Sequence, residues 1–278
     1  MPGEEYGLAP GANLMNIKVL GDDGVGSVED AILGIEHVVE LARDAMAAGK
    51  HPSDPMWPQV MNLSWGTEDD GDPDNPLRTA VEAAWETPIG IYAAAGNSGP
   101  NRQTIMLPAS SPKVWAVGAM TFSPFNVWGA SSRGPTREGL VKPDVSFLGV
   151  DVVTAAARDD LGFEVKSGTS FAAPGIAGGA CIFMQVLHAY GLITEEQLYA
   201  GYEPANMLPL LTFMSRKPEG YPAEKDNDTG VGMPFGDLIL RVVRSGVNPA
   251  SGILEATMPL MGIGMLGMMM GGMAKALK

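Results

Sequence analysis

Several short stretches of the chain are apolar on successive residues rather than on every second one, among them "VMNLSWG" (60–66), "IGIYAAAG" (89–96) and "KVWAVGAM" (113–120). A strand with one wet face must alternate apolar and polar residues. Strands apolar on both faces need a layer on each side, as in a parallel sheet covered by helices above and below. The segments between them carry the helices. "LMNIKVL" (14–20) reads as an earlier strand ending at Gly21, and after the loop "GDDGVGS" either Ser27 or Asp30 is placed to cap a helix. On that helix Ile32, Ile35, Val38, Val39 and Ala42 recur at helical spacing, until "HPSDPMWP" breaks it. A second helix runs through "PLRTAVEAAWE", further extended chain is expected over 143–156, and a long apolar helix over about 170–190. Strands alternating with helices give an α/β fold with a parallel sheet and helices on both faces. No internal repeat is found.

The 278 residues suit one large α/β domain, and 45% hydrophobic residues supply its core. A formal net charge of -14 argues against nucleic acid or an anionic membrane as a partner, because Lys and Arg drive phosphate binding. The single cysteine, Cys181, excludes an internal disulfide and a Cys-based metal cluster, and its place on an apolar helix marks it as a small core residue. The first residues, "MPGEEYGLAPGANL", are acidic and lack the apolar stretch of a signal peptide. Composition shifts near residue 251, dividing the chain into a domain over 1–250 and a Met/Gly-rich apolar tail over 251–278. In that tail, "ATMPLMGIGMLGMMMGGMA" just reaches the length of a membrane span, but Pro259 and five glycines weaken it as a helix. Packing on its own domain or on a second subunit is the better expectation, with Gly264, Gly267 and Gly271 letting two backbones approach.

Two fragments carry chemistry. In "SGTSFAAPG" (167–175), Ser170 is set at the start of a helix, where unpaired backbone N–H groups favour developing negative charge. It is either a nucleophile or an ordinary N-cap. Pro174 falls close to the helix start, where a missing N–H costs least. In "AAAGNSGP" (93–100), Asn97 ends a buried strand and is either a turn residue or a side-chain amide offered to an oxyanion. Taken alone, each fragment is ambiguous; together they favour acyl transfer.

With these fragments the chain resembles the subtilisin-like serine peptidases (subtilases). The resemblance extends over about residues 7–245 in the family's order: "GLAPGANLMNIKVLGDDGVGSVEDAILGIE", "MNLSWG", "AAAGNSG", "LPASSPKVWAVGA", "SSRGPTREGLVKPDV", "SGTSFAAPGIAG" and, more loosely, "DTGVGMPFGDLILRVV". It implies a subtilisin-like sheet, Ser170 as nucleophile, Asn97 as oxyanion side chain, and the Ser170 N–H as second donor. It further implies that Ser64, Trp65 and Gly66 lie along the edge that binds an extended peptide. Ala94, Ala95 and Gly96 would line the pocket for the residue before the scissile bond. A local departure is Phe147-Leu148-Gly149, where the family usually has Ala-Pro-Gly.

The larger departure concerns the base. The family's triad runs in the order Asp, His, Ser. No His-Gly-Thr motif occurs in this sequence, and Asp228-Thr229-Gly230 has the aspartate motif's letters near the wrong end. Of the three histidines, His37 sits mid-helix, His51 in a Pro-rich loop, and His188 about five turns along the Ser170 helix, roughly 27 Å away at 1.5 Å per residue. The resemblance therefore covers the C-terminal two-thirds of a catalytic domain, without the strand and helix that carry Asp and His. That strand runs through the middle of the family's sheet, so its absence is expected to leave strand edges unpaired.

Three functions compete. One is a serine endopeptidase that takes Asp and His from a missing or separate N-terminal polypeptide. Another is an inactive pseudopeptidase with a structural or assembly role, self-associating through its tail. The third, weakest, is a tail-anchored membrane protein. The expected substrate is a peptide or protein. No cofactor is required, although calcium, frequent in the family, is a possible ligand of Asp69, Asp70, Asp72 and Asp74 in "TEDDGDPDNP". Family members are often secreted, but these residues fix no compartment.

Overall fold

A computed structural model describes residues 7–189 apart from 52, 53, 55, 88, 158 and 160, together with 208, 211, 212 and 214–235. The tail, the proposed boundary at 250 and the second half of the 228–243 segment lie outside the described residues.

The core is a sheet whose parallel strands follow the apolar runs. β1 (Val60–Leu63), β2 (Gly90–Ala94), β3 (Trp115–Thr121) and β5 (Val145–Leu148) pair side by side in that order, and the two-residue β4 (Asn126–Val127) lies antiparallel on the end of β3. Every residue of β2 is buried, as its lack of alternation requires. Successive β2 side chains enter opposite layers. Ile91 and Ala93 join the cluster of α1 (Val28–Ala47) and α2 (Pro76–Ala84), whereas Tyr92 and Ala94 join that of α3 (Thr169–Ala189). The sheet is thus covered by α1 and α2 on one face and α3 on the other. Tyr92 and Trp115 stack across β2 and β3 with ring centroids 6.2 Å apart.

Local rules set the helix starts. Ser27, not Asp30, caps α1: its Oγ accepts from the Asp30 N–H at 3.0 Å, while its hydroxyl donates to the Asp30 carboxylate. Asn75 caps α2 by accepting from the Leu77 N–H, with Pro76 in the first turn where it needs no donor. Beyond β5, β6 (Val152–Ala155) and β7 (Phe163–Lys166) form an antiparallel hairpin, of which only the first strand fell in the expected extended stretch. A second small pair, β8 (Ser215–Arg216) and β9 (Met233–Pro234), was not expected from the sequence.

The strand expected over 14–20 is not formed. That segment pairs with no strand, Leu14 is almost fully exposed, and Val19 rests instead against α1 at Gly34. The physical reason is visible at β1, which ends the sheet: among the described residues nothing pairs with its outer edge. A strand exists only by pairing its N–H and C=O groups. With the neighbouring strand absent, 14–20 has nothing to pair with.

Candidate active site

The site forms where β1 and β2 end and α3 begins. β2 leaves the sheet through Gly96, whose φ of +111° is a conformation side chains rarely adopt. That turn places Asn97 at the surface. Its Oδ1 accepts two hydrogen bonds, from the Thr169 N–H at 2.9 Å and the Thr169 hydroxyl at 3.0 Å. The same hydroxyl accepts from the Gly96 N–H at 3.1 Å, so the fully buried Thr169 locks the end of β2 to the start of α3. Because Oδ1 is occupied, the end of the amide left to donate is Nδ2, and a methyl group at Gly168 would stand 3.5 Å from it. The helix start supplies a second donor: among the described residues no acceptor meets the Ser170 N–H.

Ser170 is half-buried at the second position of α3. Pro174 lies inside the helix, not in its first turn as the sequence suggested, and four residues after Ser170. It has no N–H to give the Ser170 carbonyl, which therefore loses its helical partner. Ser64 replaces that partner, its Oγ donating to the Ser170 carbonyl at 2.8 Å while accepting from Asn62 Nδ2 at 2.9 Å. The end of β1 is thereby tied to the nucleophile's backbone. Gly175, in the same motif, leaves the space that the Phe147 ring occupies, so Phe147 in the departing 147–149 segment is accommodated by α3 itself.

A second layer holds the Asn97 turn. Ser132 donates its N–H to the Gly96 carbonyl and accepts from the Ser98 N–H through its Oγ, at 2.9 and 3.1 Å. The next residue, Arg133, is buried and pairs with Asp228, which also binds Arg102, both at 2.9 Å. Asp228 is thus committed to two guanidinium groups, in keeping with its displaced motif. Beneath, the buried carboxylate of Asp144 accepts from Lys142, Lys225 and the Ala116 N–H. Burial alone would raise its pKa, but the two ammonium groups hold it below the ordinary value.

The structure brings Ser170, Asn97 and Ser64 together and brings no histidine to them. His37 is exposed on α1, across the sheet from α3; His51 is in the loop before β1; His188 is in the last turn of α3. Trp65 leans on the α1–α2 cluster, Gly66 follows it at the strand edge, and Ala94, Ala95 and Gly96 are buried at the end of β2. The acidic loop turns inward on itself: Asp69, Asp70 and Asp72 each accept a backbone N–H two residues on. Among the described residues no group of three or more His, Cys, Asp or Glu is arranged to hold a metal ion. Sequence reasoning missed Thr169 and the Ser64 hydroxyl as parts of the corner. The four-residue spacing of Ser170 and Pro174 was the available signal for an orphaned carbonyl, but nothing in the sequence pointed to its donor.

Comparison with known proteins agrees with this corner. The sequence profile of the subtilase family matches residues 4–207. The chain belongs to the subtilase family. Among curated subtilases, serine protease AprX of Bacillus subtilis (strain 168) is 35% identical over 204 residues, covering 66% of this chain and 44% of that protein. Subtilisin-like protease 1 of Arthroderma gypseum is 34% identical over 188 residues, covering 66% of this chain and 34% of that protein. The chain therefore spans less than half the length of these relatives. Solved structures share the fold: sphericase superposes with a TM-score of 0.59 at 24% identity, over 78% of this chain and 66% of that one. The CspB protease of Clostridium perfringens superposes with a TM-score of 0.65 at 16% identity, over 82% and 74%.

Proposed function

We propose that this subtilase chain is the nucleophile-bearing part of a serine endopeptidase, completed by a segment that supplies histidine and aspartate. The observation that carries the proposal is the Asn97–Thr169–Ser170 corner, in which two hydrogen-bond donors are left unspent beside one hydroxyl. An extended peptide binds along Ser64, Trp65 and Gly66, with the side chain before the scissile bond against Ala94, Ala95 and Gly96. The Ser170 hydroxyl attacks the carbonyl carbon. The oxyanion that forms is received by the Ser170 N–H and Asn97 Nδ2, in the role such donors play in acyl transfer. Collapse expels the amine and leaves an acyl-serine, which water then hydrolyses.

The proton of the Ser170 hydroxyl needs a base, and none of the three histidines of the chain is placed to take it. The base comes with the Asp- and His-bearing segment. The open edge of β1 and the unpaired extended segment 14–20 support this, since together they offer a strand-sized gap. No cofactor takes part. By itself the chain retains at most the oxyanion contribution, against a loss of about 2 × 10⁶ in kcat when subtilisin, a worked reference case, loses its histidine.

The test is labelling with a fluorophosphonate, read at Ser170 by peptide mass spectrometry, on the chain as purified from its own source. Labelling at Ser170 and nowhere else, together with co-purification of a polypeptide bearing Asp and His, is the expected result. An unlabelled, folded protein with no such companion would overturn the reading in favour of a pseudopeptidase with a structural role.

A further inference from the structure

Met106 lies between the two glycines that border the proposed substrate cleft. It follows the buried Ile105 and precedes the buried Leu107, yet is itself only half-buried. Its N–H donates to the Ala95 carbonyl at 3.0 Å, and the next residue pairs with Thr67 in both directions at 3.0 Å. Residue 106 is therefore fastened to the ends of both cleft strands, β1 and β2. A Cβ built on Gly66 would stand 3.3 Å from Met106 Cβ and 2.6 Å from the Leu107 carbonyl oxygen. One built on Gly96 would stand 2.7 Å from both Cγ and Sδ of Met106. The side chain starts at the Gly66 wall and ends at the Gly96 wall, and both walls lack a Cβ where it passes. The fully buried Ala95 and the 5% exposure of Ala94 show that no deep opening reaches past it along β2.

We infer that Met106 is the specificity-determining residue of the cleft, closing the pocket for the residue before the scissile bond so that it accepts a small apolar side chain. This rests on the cleft assignment proposed above. The chemistry of the floor agrees with an uncharged ligand: no ionisable side chain is among the nearest neighbours of Gly66 or Gly96, and the one hydroxyl there, Ser132 Oγ, is already engaged by the Ser98 N–H. A phenyl ring has nowhere to lie while the thioether bridges the two walls. The thioether itself is unbranched and adaptable, so it yields to a methyl or ethyl group more readily than to a ring.

The experiment uses the full chain and needs no catalytic base. Binding of N-acetyl tripeptidyl aldehydes that differ only in an Ala, Leu or Phe side chain at the terminal residue is measured by calorimetry, for the parent protein and for Met106→Gly and Met106→Ala. Either variant keeps the backbone bond to Ala95, and Met106→Ala also keeps the Cβ at the Gly66 wall, so at least one folded comparison is available by circular dichroism. The parent is expected to favour the Ala ligand over the Phe ligand by about tenfold or more, and the variants to shrink that ratio by about tenfold. Binding with the same ratio in parent and variants would overturn the role of Met106 while leaving the cleft in place. Binding of no ligand by any of the proteins would overturn the cleft assignment and this inference together.

Discussion

At the scale of single residues, the corner depends on which end of one amide faces outward. Thr169 decides this, because its N–H and hydroxyl both donate to Asn97 Oδ1 and leave Nδ2 as the outward donor. Asn97→Ala is expected to slow fluorophosphonate labelling of Ser170 in the completed peptidase by on the order of 10² to 10³, the usual weight of one oxyanion donor. The fold should be unaffected, since Asn97 is exposed, and the melting temperature checks this. Asn97 was legible in the sequence as one of two things, a turn residue or an oxyanion donor. The structure makes it both. Thr169 was not legible, because a buried hydroxyl acquires its meaning only from the partners that folding brings to it.

Among the elements, the start of α3 is held by an exchange between chain segments. Pro174 withholds the N–H that the Ser170 carbonyl would otherwise receive, and Ser64 at the end of β1 donates instead. Ser64→Ala leaves that carbonyl without a partner and is expected to destabilise the protein by about 1–3 kcal/mol. Pro174→Ala restores a helical donor, so the double variant should lose clearly less than Ser64→Ala alone; urea unfolding of the four proteins measures the difference. A second prediction concerns the turn leading into β9. Asp226 accepts from the N–H groups of Asp228 and Thr229, from the Thr229 hydroxyl and from Lys217. Partial burial opposes its ionisation, but these bonds prevail and hold its pKa below the usual 3.8. A depressed folded-state value means stability that is present above the ordinary aspartate pKa and lost as pH falls through the folded value. Asp226→Asn should therefore flatten the acid side of the stability–pH curve and lower its neutral plateau, which thermal melts at successive pH values will show.

For the whole molecule, the sheet stops at β1 with one edge uncovered, and segment 14–20 lies beside it as extended chain with exposed Leu14 and Met15. An edge of this kind presents unpaired main-chain groups to any strand of matching length. Amide hydrogen exchange of the isolated chain is expected to be fast throughout 14–20 and slow in β2 and β3. Binding of the completing segment should slow exchange in 14–20. If those amides are already protected in the isolated chain, the gap is closed by other means. The sheet and its layers were legible because strands apolar on both faces admit few arrangements; the failed strand was not, because its pairing depends on a neighbour that no local pattern reveals.

The sequence by itself determined the α/β class, the order of strands and helices, and the identity of Ser170 and Asn97 as the chemically placed residues. Each of these follows from periodicity or from a compact motif, in which the information is local. Tertiary structure alone decided that Thr169 orients the amide, that Ser64 repays the carbonyl orphaned by Pro174, that Asp228 is bound to arginines, and that Met106 bridges Gly66 and Gly96. These contacts join residues separated by 10 to more than 100 positions, so only the packing of the sheet against α3 and the loops that follow its strands could bring them together.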